Sequence, residues 1–492
     1  MLATALTVMA IVTQDQAQLR AAPKDSAPQQ AMLWQGDSLE IRGEKRDYLQ
    51  VYDHRRERAG YIKASQVRLV SLKPEGAAET LAVLRFVRDT PGSESLGISY
   101  AAAYLKAAPA NMIGPEVFDA LGTMAERLAR RASMRANKSS DASESKIAAH
   151  LDTVAQYGIK IDGYERDGRM QLCYDGEAYR RVLALHATAQ QNAVLTSNAQ
   201  TYTELQKARA ALGLTRPECI DPALPPLQKI ALDNWRAEIL DTVVEANLPD
   251  YMKNRIHMRR ANVWASIAYQ RSRKAEGYQA AGQRAINALA SVDKNQLPDE
   301  DQARYTEAAV HVSSVRWAAE AIPALQSASP RAALQIHTEP GAAGETCVSL
   351  IQTKGAAKEN VLIKRCSYGV VWAASSNSNP AGTALTLAVQ PLDGWRELWL
   401  FRQSANGWVI DVLPPAASAP DVGYAEFAGW VPASNKMLVV REARVEGRFK
   451  RSFEVLNMDN LQVDAWADRP GAVNLFARWQ EPQWKRSTLS LR

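Results

Sequence analysis

Histidine is scarce in this chain. Six occur, at positions 54, 150, 186, 257, 311 and 337, and no two are four residues apart, so no helix face carries a paired-imidazole metal site. G-x-S-x-G, H-E-x-x-H, the phosphate-binding loop and the dinucleotide glycine fingerprint are all missing. Their absence removes the signatures of a nucleophile-elbow hydrolase, a zinc peptidase and a nucleotide-dependent enzyme, and neither cofactor nor metal is implied. Charge of one sign is not concentrated anywhere: 59 basic residues face 53 acidic ones, a net of +6, with both signs interspersed throughout. The basic stripe of a nucleic-acid binder is absent, and nucleic acid is not an expected partner. Long apolar runs are lacking too. Residues 2–12 form a run of 11, the length of a signal-peptide h-region and too short to span a bilayer, so no membrane span is expected.

That run lacks the positively charged segment that precedes an h-region, and it leads into Val12-Thr13-Gln14, which reads as a strand. The expectation is a truncated signal ending near Ala3, ahead of an exported domain. The remaining composition is ordinary for globular protein, with 46% hydrophobic and 23% charged residues over 492 positions. That length suits about two to four domains, each with its own core.

Residues 10–72 read as short alternating strands broken by turns, the pattern of a small β-barrel. In 38–42, Leu39 and Ile41 alternate with polar neighbours and give one buried and one solvated face. Four spaced elements then follow in a familiar order: Leu19-Arg20 with Pro23; Gly36-Asp37 ahead of Leu39-Glu40-Ile41; Asp47-Tyr48-Leu49-Gln50-Val51; and Gly60-Tyr61-Ile62 ahead of Ser65-Gln66-Val67. This segment resembles the bacterial SH3 domain, with Tyr48 where Trp is usual. The resemblance implies a spacer or ligand-binding module, often facing peptidoglycan or another envelope polymer, and no catalysis. Trp34, Tyr48, Tyr52 and Tyr61 are the candidate aromatic groove, since ring faces suit sugars and extended peptides. The alternative is that Tyr48 and Tyr61 fill the core and Trp34 packs on the helical region. Arg55, Arg56 and Arg58 sit on an expected hairpin tip, either as contacts to an anionic polymer or as a solvated charge run.

Past Lys73-Pro74-Glu75-Gly76 the hydrophobic period becomes helical, and residues 77–325 are expected to form an α-helical domain. Amphipathic stretches run over 77–89, 95–107, 114–134 and 146–156, then 226–247, 249–273, 278–291 and 298–321. Pro249 and Pro298 suit a first helical turn. Residues 136–145 are polar and predict an exposed loop, while 159–174 predict a β-hairpin around an Asp167-Gly168 turn. Trp264, Ala268, Ala281 and Ala285 resemble tetratricopeptide packing, without a register of about 34 residues; an irregular bundle is the other reading.

Four cysteines occur, Cys173, Cys219, Cys347 and Cys366, with no C-x-x-C pair and no metal-ligand spacing to histidine. Pairing of sequence neighbours is expected, Cys173 with Cys219 and Cys347 with Cys366, because each pair then lies in one region of changing secondary structure. Four free buried thiols of a cytosolic chain are the alternative.

Residues 330–492 hold eight of the twelve tryptophans amid alternating polar and apolar residues and predict an all-β region. A repeat is visible there. Trp372, 384–390, Gly394, 397–402 and 408–413 correspond to Trp430, 436–442, Gly447, 451–456 and 461–466, at offsets of 52 to 58. Four strands per repeat resemble a propeller blade; two repeats leave an open sandwich or a propeller-like fragment, with 345–368 and 471–491 as flanking β segments. The tryptophans are read as core, with glycan contact as the alternative.

These readings describe a multidomain α+β protein. It is expected to be noncatalytic and exported to the periplasm or beyond, its N-terminal module docking on a cell-wall polymer or on a peptide or protein ligand. Two alternatives stay open. One is a peptidoglycan-directed hydrolase whose carboxylate pair is hidden among 53 acidic residues. The other is a helical-repeat assembly or chaperone factor.

Overall fold

The computed structural model describes residues 8–136, 141–166, 168–192, 202–320, 334–352 and 360–487. The chain divides into two compact units, residues 1–225 with 239–248 and residues 226–238 with 249–492, so the division falls inside the helical stretch.

Unit one opens with β1 (Val8–Val12), β2 (Ala17–Arg20), β3 (Gln29–Leu33), β4 (Ser38–Lys45), β5 (Tyr48–Asp53), β6 (Arg58–Lys63) and β7 (Val67–Ser71). They form an antiparallel sheet in the order β3-β2-β6-β5-β4-β1-β7. The edge strands β3 and β7 are not paired with each other, so the hydrogen-bonded ladder stays open instead of closing into a barrel. Alternate residues still converge on one core: Ala10, Val12, Leu19, Leu33, Leu39, Leu49, Val51 and Ile62 come from β1 through β6, which requires the sheet to curl. β1 is buried on both faces, because Ile11 points the other way and joins the helical core. Residues 2–7 of the apolar run lie outside the described residues.

Helices α1 (Ala77–Arg88), α2 (Glu94–Ala107), α3 (Pro115–Ala136) and α4 (Asp141–Ala155) follow. Leu84, Tyr100, Tyr104, Met124, Leu128 and Val154 pack with Ile11 and Val70 of the sheet into a single core. The expected 136–145 loop is shorter than its composition suggested. Residues 137–140 lie outside the described residues, and from Asp141 the chain is already helical.

The predicted hairpin is present as β8 (Ile161–Arg166) and β9 (Arg169–Tyr174); Asp167 of its turn lies outside the described residues. Two helices that the sequence reading did not single out complete the unit, α5 (Glu177–Asn192) and α6 (Glu204–Leu214). α6 begins with a capping box, in which Thr203 and Gln206 satisfy each other's backbone N–H. Cys173 of β9 is bonded to Cys219.

The unit boundary passes through α7 (Pro226–Asp241). Unit two then contains α8 (Asp250–Ser272), α9 (Tyr278–Ala290) and α10 (Gln302–Val315). Pro249 stands just before α8 in extended backbone rather than inside its first turn. Pro298 precedes a 3-10 turn over Asp299–Asp301, and the α-helix begins only at Gln302.

β10 (Leu334–Pro340), β11 (Thr346–Gln352) and β12 (Asn360–Ser367) make a three-stranded antiparallel sheet in which Cys347 lies directly opposite Cys366 and is bonded to it. Both expected cysteine pairs are therefore formed.

An eight-stranded sheet follows: β13 (Val370–Ser378), β14 (Ala384–Leu392), β15 (Trp395–Ser404), β16 (Gly407–Leu413), β17 (Gly423–Val431), β18 (Lys436–Val445), β19 (Arg448–Asn457) and β20 (Val463–Ala467). It consists of two four-stranded meanders, joined where Trp395 and Arg396 of β15 run parallel to Gly423 and Tyr424 of β17. Val370 and Gly423, Trp395 and Arg448, and Ser404 and Asn457 are each 53 residues apart. This spacing corrects the expected match of Trp372 with Trp430. Trp372, opposite Ala388, corresponds to Ala425, opposite Arg441, and the Trp430 indole N–H donates to Asn377 Oδ1 at 2.7 Å.

The chain then turns helical, as α11 (Asn474–Trp479) and α12 (Pro482–Ser487), where a β flank was expected. Phe476 of α11 stacks edge to face on Phe453, with centroids 5.1 Å apart, and on Trp484 of α12 at 5.6 Å, and so buries aromatic surface in the same core as the sheet. Trp372, Trp395, Trp399 and Trp484 are buried, whereas Trp466 on β20 is 68% exposed.

Candidate functional site

Strand alternation in β5 sends Leu49 and Val51 into the core and turns Tyr48, Gln50 and Tyr52 to the other face. The β5–β6 register sets Tyr61 opposite Gln50 and hence diagonal to both tyrosines. Diagonal neighbours about 7–8 Å apart are within reach of aromatic side chains. On the other side, β4 shifts register between Ile41 and Gly43. The displaced Arg42 lays its guanidinium over Tyr52, 3.9 Å from the ring centroid. His54 meets the same ring edge-on at 4.9 Å and bonds Glu40 through Nε2 at 2.6 Å. Hydrogen bonds from His54 and Arg42 hold the Glu40 carboxyl below its ordinary range. Arg20 of β2 stands opposite Tyr61. The result is a strip of tyrosine faces bordered by cations.

Tyr48 belongs to this face but is covered. It is 2% exposed, and its hydroxyl donates to Asp25 Oδ1 at 2.6 Å. Asp25 also accepts from Lys63 at 2.9 Å, so the segment between β2 and β3 is clasped over the ring. The Lys63 and Tyr48 hydrogen bonds lower the Asp25 carboxyl, and the same contact raises the Tyr48 phenol. Tyr52 and Tyr61 remain half-buried.

The other candidate residues lie elsewhere. Trp34 follows β3 and meets His150 of α4 edge-on at 6.3 Å. Arg56 bonds Asp53 at 2.8 Å and Asp37 at 3.1 Å, and Arg55 reaches Asp37 at 3.5 Å and Asp152 at 3.2 Å. Asp37 and Asp53 are each 2% exposed, so these arginines serve as counter-charges to buried carboxylates. Arg58 is exposed and donates to the Gln30 carbonyl at 2.9 Å. Gly36 ahead of Asp37 has φ +94°, and a Cβ there would lie 2.5 Å from the Ser95 carbonyl oxygen. Only glycine lets this turn approach α2.

No family model, curated protein or solved structure matches the chain. Inference about function therefore rests on geometry.

One constellation escaped the sequence reading because its members are far apart in the chain. In unit two, Asp393, between β14 and β15, is reached by His311 Nε2 at 3.0 Å, Ser266 Oγ at 2.8 Å and Lys229 Nζ at 3.2 Å. Burial alone would raise its carboxyl, but the hydrogen bonds and charge of these groups hold it well below the usual range. The inventory is that of a serine triad; the connectivity is not. Ser266 and His311 both bond the carboxylate, whereas an activated serine must give its proton to the imidazole. The cluster anchors the β14–β15 turn. Among the described residues, Glu345, Cys347 and Cys366 stand close enough to share a metal, but both sulfurs are already bonded to each other. No helix among the described residues is long and apolar enough to cross a membrane.

Proposed function

We propose that the chain is an exported envelope-binding protein whose N-terminal sheet is an SH3-like module with the Tyr52–Tyr61 strip as its ligand surface. The observation that carries this reading is the Arg42–Tyr52 stack beside Tyr61, since ring faces edged by guanidinium groups suit the sugar rings and carboxylates of an acidic glycan. Two disulfides in one chain support an oxidising compartment, periplasmic or extracellular. In this reading the curled sheet is a partly open SH3-like barrel, the helices are its scaffold, and the repeated meanders are propeller-like blades.

Co-sedimentation of the full chain with isolated peptidoglycan tests the proposal. The wild-type chain is expected to pellet with the polymer, and Tyr52→Ala with Arg42→Ala to weaken binding at least about tenfold, the loss of one stacked ring and its cation. Circular dichroism should show the double variant folded. No co-sedimentation above a control protein, or equal binding by the variant, overturns the reading.

A further inference from the structure

Unit two carries a cleft of about 450 Å³ between α10 and the β18–β19 hairpin. Glu442 and Arg451, directly opposite each other in the β18–β19 ladder, both line it. Glu442 is 5% exposed, and its Oε2 accepts from the Tyr424 hydroxyl at 3.1 Å, which fixes the carboxylate. Arg451 Nε is buried without a hydrogen-bond partner among the described residues. A buried N–H left without an acceptor is costly, so an acceptor supplied from outside would be favoured at Nε of this half-buried side chain. Tyr305 of α10 and Phe449 of β19 add two aromatic rings, and exposed Asp468 and Arg469, just past β20, bring a second charge of each sign.

We propose that this cleft binds a small amphoteric ligand, an amino acid or short peptide with free amino and carboxyl groups. Two cations and two anions lining one cleft suit a ligand carrying both charges. A purely anionic ligand would meet Glu442 and Asp468, and a purely cationic one Arg451 and Arg469. The carboxylate goes to Arg451 and Arg469, the ammonium to Glu442 and Asp468, and an apolar side chain lies against Tyr305 and Phe449. The volume falls within the range of about 300–1,000 Å³ typical of small-molecule sites. This inference is independent of the N-terminal module.

Isothermal titration of the full chain with alanyl-phenylalanine, its N-acetylated form and its C-terminal amide tests it. The unblocked dipeptide is expected to bind with Kd below about 1 mM, and each blocked form at least about tenfold more weakly. Arg451→Met and, at the exposed rim, Arg469→Gln should each weaken the unblocked dipeptide while leaving the urea midpoint unchanged. If Arg451→Met unfolds the unit, Arg469→Gln alone carries the test. Kd above about 1 mM for the unblocked dipeptide, equal binding of the blocked forms, or wild-type affinity in the folded variants overturns the proposal.

Discussion

Glu426 of β17 is the counter-charge of two guanidiniums in unit two. Its side chain is 3% exposed, that of Arg316 6% and that of Arg396 0%. Arg316 Nε donates to Glu426 Oε1 at 2.7 Å, and its Nη2 bonds the same oxygen. Arg396 Nη2 stands 3.3 Å from Oε2 without the alignment of a hydrogen bond, while its Nη1 donates to the Ser313 carbonyl at 2.8 Å. Burial pulls the Arg396 guanidinium down to about 10, against the attraction of Glu426 and with the repulsion of Arg316 adding to the pull. The Glu426→Gln substitution keeps the shape of the side chain and leaves two buried cations facing each other. Removing one partner of a buried pair costs about 3–5 kcal/mol, and two cations losing one anion place this case at about 5 kcal/mol.

Each kcal/mol is about 2–4 °C for a unit of this size, so the melting temperature should fall by roughly 10–20 °C. Urea unfolding followed by tryptophan fluorescence reads the effect where it occurs, because eleven of the twelve tryptophans lie in unit two. Replacing the whole cluster, with Arg316→Met, Arg396→Met and Glu426→Leu, also removes the desolvation penalty and is expected to recover most of the loss. A Glu426→Gln loss below about 1 kcal/mol, or a triple replacement no more stable than Glu426→Gln, refutes the reasoning.

Two further outcomes are expected. Breaking the Cys173–Cys219 bond, which closes a separation of 46 residues, should cost unit one about 4 kcal/mol on the chain-entropy account; a circular-dichroism melt of the Cys173→Ala, Cys219→Ala variant that overlays the wild-type curve would contradict this. His186 is 4% exposed, and burial lowers its imidazole below the ordinary value of about 6.5, so the fold holds it neutral while the unfolded chain takes up a proton first. Stability should therefore decline as pH falls below about 6.5, by at most about 1.4 kcal/mol per unit from this group. His186→Phe, which keeps an aromatic ring against Tyr202, should flatten that part of the urea-midpoint profile, and an unchanged slope between pH 7 and 5 would assign the decline to other groups.

Where the sequence was legible, a local period carried the information. The alternation of Leu39 and Ile41 sets the inner face of β4, and the pattern around Asp167-Gly168 gives the β8–β9 hairpin. The pairing of cysteines by region works because Cys173 lies in a hairpin that local pattern defines and Cys219 in the loop expected beside it, while Cys347 and Cys366 face each other in one hairpin. Where residue type was used in place of period, the reading slipped. Matching Trp372 with Trp430 rests on both being large, yet strand register places Trp372 opposite Ala388 and Trp430 opposite Met437, which are not equivalent positions of β14 and β18. Residues 474–487 follow eight strands and share their tryptophan content, but they fold as helices whose rings fill a core that the sheet leaves open on one side.

The candidate site divides along the same line. Tyr48, Tyr52 and Tyr61 share a face because a period of two and a hairpin register place them there, and both can be read from sequence. Arg55 and Arg56 carry the same formal promise of an anionic ligand as Arg42, and only their partners separate them. Two buried carboxylates, Asp37 and Asp53, require cations, and Arg55 and Arg56 supply them; Arg42 is bound to a half-buried ring and to Glu40, which His54 also holds. A charge that compensates a buried group is not free to bind a polymer without exposing that group's desolvation penalty. Arg42 and Tyr52 can exchange solvent for ligand at less internal cost, which is why the binding surface is proposed on the tyrosine face and not on the arginine-rich turn.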